Sequence, residues 1–264
     1  MQFLVVILVF FVVFFGLVWF FLYFRQEKMI FQAEKLPKHF VFNFPGTYDE
    51  LTFKSEGNVH LHALHFKNKN SKGIVFYFHG NAGSLASWGQ WATLFQEYEF
   101  DVLMYDYRSY GKSTGKISNE AQIHRDALVV YKEVIGLYTG KRVVFYGRSL
   151  GTGIAAKLAT IHEPESLILT TPYFNFTQQV KSMYSFIPVR ALLKYKFKTN
   201  EYLPLLKCPV YLIHGTDDEL VPYESSLMLE KLGDHIHLTT IKGGTHGDLP
   251  NFKEFRDVLK KALT

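Results

Sequence analysis

The chain has 264 residues, 48% of them hydrophobic, a formal net charge of +5 and one cysteine. That composition supplies apolar material for one large or two small cores and excludes a disordered chain. The lone Cys208 excludes an internal disulfide, so packing must hold the fold, as in reducing compartments.

From the N-terminus, Phe3 to Leu22 is a run of twenty residues without a charge. At about 1.5 Å per residue it just spans a hydrocarbon core of roughly 30 Å, so residues 1–24 read as one transmembrane anchor. A cleaved signal peptide fits less well, because no lysine or arginine precedes the run and no small-x-small site follows it. Arg25, Glu27, Lys28, Lys35 and Lys38 follow the span, and that excess of positive charge predicts a cytoplasmic location for the rest of the chain, a cytoplasmic N-terminus with the domain outside being the alternative.

Residues 25–48 form a polar and aromatic linker, and residues 49–264 the main domain. Leu51 to Phe66 alternates around Gly57-Asn58, as an antiparallel hairpin does. Strand-like runs then recur at Ile74 to Phe78, Val102 to Tyr105, Val143 to Tyr146, Leu167 to Leu169, Val210 to Ile213 and His237 to Ile241. Helical spacing predicts Ser84 to Tyr98, Asn119 to Tyr138, Leu150 to His162, Tyr223 to Leu232 and Asn251 to Ala262, with Ser84 and Asn119 as N-caps. Apolar runs buried on both faces and separated by helices indicate a three-layer α/β fold with a mostly parallel sheet. Residues 172–207 are too long for a simple crossover and read as a short cap insertion.

Chemistry collects where such strands end. Val143-Val144-Phe145-Tyr146 runs into Gly147-Arg148-Ser149-Leu150-Gly151 and then a helical stretch, the strand, sharp turn and helix that expose a nucleophilic serine. A serine hydroxyl needs a histidine to take its proton and a carboxylate to hold that histidine in the right tautomer. His246 lies in a glycine-rich loop after the last expected strand and is the candidate base; Asp217 and Asp218 both lie past the preceding strand, and spacing does not choose between them. Backbone N–H groups of Leu150 and Asn81 are the candidate oxyanion donors. His79 and His214, each before a glycine at a strand end, read as structural histidines. His60, His62 and His65 lack a carboxylate or cysteine beside them, so no metal site is expected.

The stretches HGNAG at His79 to Gly83, DYRSYGKS at Asp106 to Ser113, GRSLG at Gly147 to Gly151, HGTDDELVP at His214 to Pro222 and GGTHGDL at Gly243 to Leu249 resemble the α/β-hydrolase superfamily, in particular its membrane-anchored subgroup. The resemblance covers Leu51 to the C-terminus and implies an acyl-enzyme mechanism with Ser149 as nucleophile, His246 as base, Asp218 as the orienting acid and no cofactor. Asp106 is implied to be structural. Ser109 stands where the subgroup usually has glycine, which puts the shape of that loop in question.

The cap's six basic residues against Glu201 alone account for the whole net charge, interleaved with Tyr173, Phe174, Phe176, Met183, Tyr184, Phe186, Tyr195, Phe197 and Tyr202. Such a mixture suits a surface resting on anionic lipid headgroups, or a cap whose aromatics pack inward. No nucleic-acid motif accompanies it, so nucleic acid is not an expected partner. The expected activity is hydrolysis of a carboxylic ester or thioester of an acyl or lipid substrate. A serine peptidase or amidase with the same triad, or a non-catalytic anchored scaffold, are the alternatives; the substrate-binding residues are not legible.

Overall fold

A computed structural model describes residues 2–184 and 188–264; the cap aromatic Phe186 lies outside the described residues. In chain order the helices are α1 (Gln2–Ile30), α2 (Leu85–Trp88), α3 (Thr93–Gln96), α4 (Glu120–Ile135), α5 (Leu150–Ala159), α6 (Phe176–Met183), α7 (Val189–Leu192), α8 (Thr199–Tyr202), α9 (Glu224–Glu230) and α10 (Lys253–Leu263). The strands are β1 (Gln32–Ala33), β2 (Thr47–Lys54), β3 (His60–Lys67), β4 (Gly73–Phe78), β5 (Ala82–Gly83), β6 (Phe100–Tyr105), β7 (Arg142–Arg148), β8 (Ser166–Thr170), β9 (Val210–Gly215) and β10 (Ile236–Ile241).

Eight strands form one sheet in the order β10-β9-β8-β7-β4-β6-β3-β2. β3 runs antiparallel to both β2 and β6, and every other pair is parallel. This is the expected three-layer α/β-hydrolase architecture. The central strands are buried on both faces because side chains alternate: Ile74, Phe76 and Phe78 of β4 enter one core with α4 and α5, while Val75 and Tyr77 enter the other with α3 and α10. α4 presents Ile123, Ala127, Val130 and Val134, a helical stripe, to the first of these cores.

The helix expected from Ser84 to Tyr98 is instead broken into α2, a 3-10 turn at Gly89–Ala92, and α3. The Phe44 ring lies so close to Gly89 that a Cβ there would sit 2.5 Å from it, and the chain tightens where that ring packs. Ser84 and Asn119 cap as expected, accepting from the backbone N–H groups of Ala86 and Gln122.

Among the described residues, α1 is the one helix long and apolar enough to cross a membrane. It does not stop at the expected boundary after residue 24: it continues to Ile30, where Gln26 and Ile30 are buried. Nor are residues 25–48 a free linker. Phe31, Leu36 and Phe42 are buried in the domain, and β1 pairs with β5. Apolar side chains spaced between the charges drive that docking, which charge content alone concealed.

In the cap, the structure favours one of the two readings left open by the sequence. Tyr173, Tyr195 and Phe197 are fully buried, so these aromatics pack inward and are not part of a membrane-resting surface. Lys194 is turned toward α1 and Lys198 pairs with Glu201.

Ser109 takes φ 72°, the left-handed conformation a glycine adopts freely, so the loop keeps the glycine shape with a serine in it. Replacing Ser109 by glycine is expected to raise stability by about 0.5–1 kcal/mol, read from denaturant midpoints.

Candidate active site

β7 ends in a turn that places Ser149 at φ 51°, ψ −116°, a strained conformation for a non-glycine residue, directly before α5. The flanking glycines are required by contact. A Cβ on Gly151 would lie 2.0 Å from the Phe78 carbonyl oxygen, and one on Gly147 would lie 2.7 Å from the Gly151 carbonyl oxygen. β7 and β4 therefore approach α5 as closely as bare backbone allows. Ser149 N–H donates to the Thr170 carbonyl (3.0 Å), fixing the turn to β8.

Past β9, Asp218 is buried and faces His246, whose Nδ1 lies 2.8 and 3.0 Å from the two carboxylate oxygens. Asp217 does not: its side chain is exposed and accepts from the Thr216 hydroxyl. Burial alone would raise the Asp218 pKa, but hydrogen bonds from His214 and His246 and from the Val221 N–H outweigh it and hold the carboxyl well below the usual range.

His214 is more than a packed structural histidine. Its Nε2 donates to the Val221 carbonyl (3.0 Å) and approaches Asp218 Oδ2 (3.2 Å), while Nδ1 accepts from the Ser226 hydroxyl (2.6 Å). It thus braces the same carboxylate that His246 contacts. Arg148 was also passed over in the sequence: its guanidinium donates to the carbonyls of His246 (3.1 Å) and Gly247 (3.0 Å) and lies over the rings of Trp88 and Trp91. The elbow's own second residue ties down the histidine loop. The signal for it was its place within GRSLG, where a buried arginine requires acceptors.

Ser149, His246, Asn81 and Leu150 all line one cavity of about 380 Å³. Among the described residues, no hydrogen bond joins the Ser149 hydroxyl to His246, a contact that often tightens only with substrate bound. The N–H groups of Asn81 and Leu150 donate to no acceptor among the described residues. Asn81 is held from both sides: its carbonyl accepts from Gln32 N–H (3.0 Å) and the Tyr110 hydroxyl (2.7 Å), and its side chain donates to the Ile30 carbonyl (3.3 Å). The segment following α1 therefore positions this loop.

Asp106 lies beneath the same loop, its Oδ1 accepting from Leu85 N–H (3.0 Å), while a Cβ on Gly111 would strike its carboxylate. Burial pushes its pKa from 3.8 up to about 7, against the Leu85 hydrogen bond and the Lys35 ammonium. A folded carboxyl with a raised pKa binds its proton more tightly than the unfolded chain does. Its contribution to stability is therefore full below about 4 and is lost as pH rises through about 7. Asp106→Asn is expected to remove that loss, so the stability difference shifts toward the variant by up to about 4 kcal/mol between those limits, measured by unfolding at a series of pH values.

Residues 69–203 match the family model described as serine aminopeptidase, S33, over half of the chain. An uncharacterized protein of Acanthamoeba polyphaga mimivirus is 27% identical over 227 residues, covering 77% of each chain. The lysophosphatidylserine lipase ABHD12 of Danio rerio is 28% identical over 176 residues, 59% of this chain and 46% of that protein, so this chain spans just under half of its length. In fold, the Pyrococcus furiosus esterase Pf2001 superposes with a TM-score of 0.68 at 20% identity, covering 88% of this chain and 98% of that one. By the family match and the fold together, the chain belongs to the hydrolase family described as serine aminopeptidase, S33, within the α/β-hydrolase superfamily.

Proposed function

We propose that this hydrolase is a membrane-anchored serine esterase or thioesterase acting on acyl substrates. Ser149 Oγ attacks the carbonyl carbon and His246 Nε2 takes the hydroxyl proton. The resulting oxyanion accepts hydrogen bonds from the N–H groups of Asn81 and Leu150. His246 then protonates the leaving oxygen or sulfur, and water attacks the acyl-enzyme by the reverse proton path, releasing the acid. Asp218 holds the His246 Nδ1–H throughout. The observation that carries this reading is one cavity lined by Ser149, His246, Asn81 and Leu150, with His246 gripped by both oxygens of a buried carboxylate.

The family description favours a second reading, an aminopeptidase. An aminopeptidase must match the free ammonium of its substrate with an acceptor, since a buried unpaired charge is strongly unfavourable. Among the described residues no aspartate or glutamate lines the cavity, which supports an uncharged acyl group instead.

Membrane attachment is part of the proposal, with residues 1–24 of α1 as the anchor and the catalytic domain, into which residues 31–48 pack beside residues 49–264, on the cytoplasmic side. Retention of α1 is supported by Leu22, which lies within the apolar run and lines the same cavity as Ser149 and His246.

A fluorophosphonate probe is expected to label the full-length protein and not Ser149→Ala. Acyl esters and thioesters are expected to turn over and aminoacyl amides to resist. Turnover of amides in preference to esters would sink the esterase reading, and labelling that survives Ser149→Ala would sink the serine assignment.

A further inference from the structure

α1 has a face that the anchoring role leaves unexplained. Leu22, Gln26, Met29 and Ile30, spaced i, i+4, i+7 and i+8, lie on one side of the helix, and all four line the cavity that holds Ser149 and His246. Opposite them stand Val180 and Met183 of α6 and Leu192 of α7.

The wall has a direction. Leu22 is the last residue of the apolar run that matches a hydrocarbon core, and Ile30, about 12 Å further along the helix axis, carries the carbonyl to which Asn81 is bonded. The cavity thus follows α1 from the membrane boundary to the oxyanion loop.

Its lining is apolar apart from a few uncharged polar groups, and among the described residues it contains no lysine, arginine or carboxylate. Three of its apolar residues, Met29, Met183 and Leu220, are also exposed, at 44%, 54% and 55%, so an apolar rim opens beside the emerging helix. Beside the cavity, helix and cap are tied together by hydrogen bonds. Gln26 is buried with its amide donating to the Leu192 carbonyl (3.2 Å), and Glu27 accepts from both Lys194 Nζ and the Tyr195 hydroxyl (3.2 Å).

We propose that α1 is one wall of an acyl-chain site, and that the substrate is a single-chain acyl ester resident in the same membrane, whose chain enters along α1 while its headgroup stays outside. A cavity of about 380 Å³ lies at the small end of ligand pockets, roughly 300–1,000 Å³, which suits one chain and not two. The absence of charge in the described lining leaves no partner for a phosphate or ammonium inside, so a charged headgroup lies outside the cavity. Met29 and Leu22 then set chain-length preference.

This proposal rests on the esterase reading, and the test separates the two. The full chain is reconstituted in lipid nanodiscs, and p-nitrophenyl acetate and p-nitrophenyl dodecanoate are compared for the wild type, Met29→Trp, Leu22→Trp and Ser149→Ala. Val12→Trp, on the exposed membrane-embedded part of α1, is the control for a bulky residue in the bilayer. In Met29→Trp and Leu22→Trp the ratio of kcat/KM for dodecanoate over acetate is expected to fall at least about tenfold, because the indole occupies space the chain needs. In Val12→Trp the ratio is expected to stay at the wild-type value. A ratio within about twofold of wild type in both pocket variants, or an equal fall in Val12→Trp, overturns the acyl site while Ser149-dependent acetate hydrolysis leaves the esterase reading standing. Hydrolysis of neither ester, or hydrolysis unaffected by Ser149→Ala, overturns both.

Discussion

Ser149→Ala is expected to lower kcat for an acyl ester by about 10⁵–10⁶, with KM changed little, and adding His246→Ala to it is expected to lower kcat no further. The two side chains act as one unit: without the hydroxyl there is no proton for the imidazole to take, and without the imidazole the hydroxyl is a poor nucleophile. Residual turnover above the uncatalysed rate would come from the Asn81 and Leu150 N–H groups, which either change leaves in place. Steady-state kinetics on the single and double variants, with enzyme concentration fixed by protein absorbance, reads the result. Additive losses would contradict the assignment of the two residues to one proton-transfer step.

Asp218→Asn is expected to lower kcat by about 10⁴, while Asp217→Asn stays within about threefold of the wild type. The difference follows from where the two side chains point. Asp218 accepts from His246 Nδ1 with both oxygens, whereas Asp217 is exposed and hydrogen-bonded to Thr216. An amide at position 218 would present an N–H to Nδ1, favouring the tautomer that has its proton on Nε2 and leaving no lone pair there to receive the Ser149 proton. His214 sharpens the expectation. It already uses Nε2 to reach the Val221 carbonyl and Asp218, so an asparagine amide turned the other way would oppose that N–H with its own. A loss similar for both variants would remove the distinction between the two aspartates. Circular dichroism would confirm that each variant is folded.

Much of the site was legible before the fold, because its signals are local. Glycines at 147 and 151 announce a turn too tight for side chains, and the contacts a Cβ would make with Phe78 and Gly151 are the reason. Strand boundaries could be read because β4, β6 and β7 are buried on both faces and so are written as unbroken apolar runs. The order of Ser149, Asp218 and His246 also follows from where the strands end.

What the sequence determined by itself was therefore the α/β class, the long apolar N-terminal helix and the strand-end loops that hold Ser149, Asp218 and His246, since each depends on residues adjacent in the chain. Only the tertiary structure showed Asp218, which the resemblance selects where spacing does not, facing His246, His214 and Arg148 bracing Asp218 and the His246 loop, and Tyr173, Tyr195 and Phe197 of the cap turned inward. It showed as well that the stretch after α1 packs into the domain, with β1 laid against β5 beside Asn81. Each of these joins residues far apart in sequence: Gln26 with Leu192, Gln32 with Asn81, Arg148 with His246. A hydrogen bond between distant segments leaves no period or composition in either one, so it becomes visible only when the sheet has brought them together.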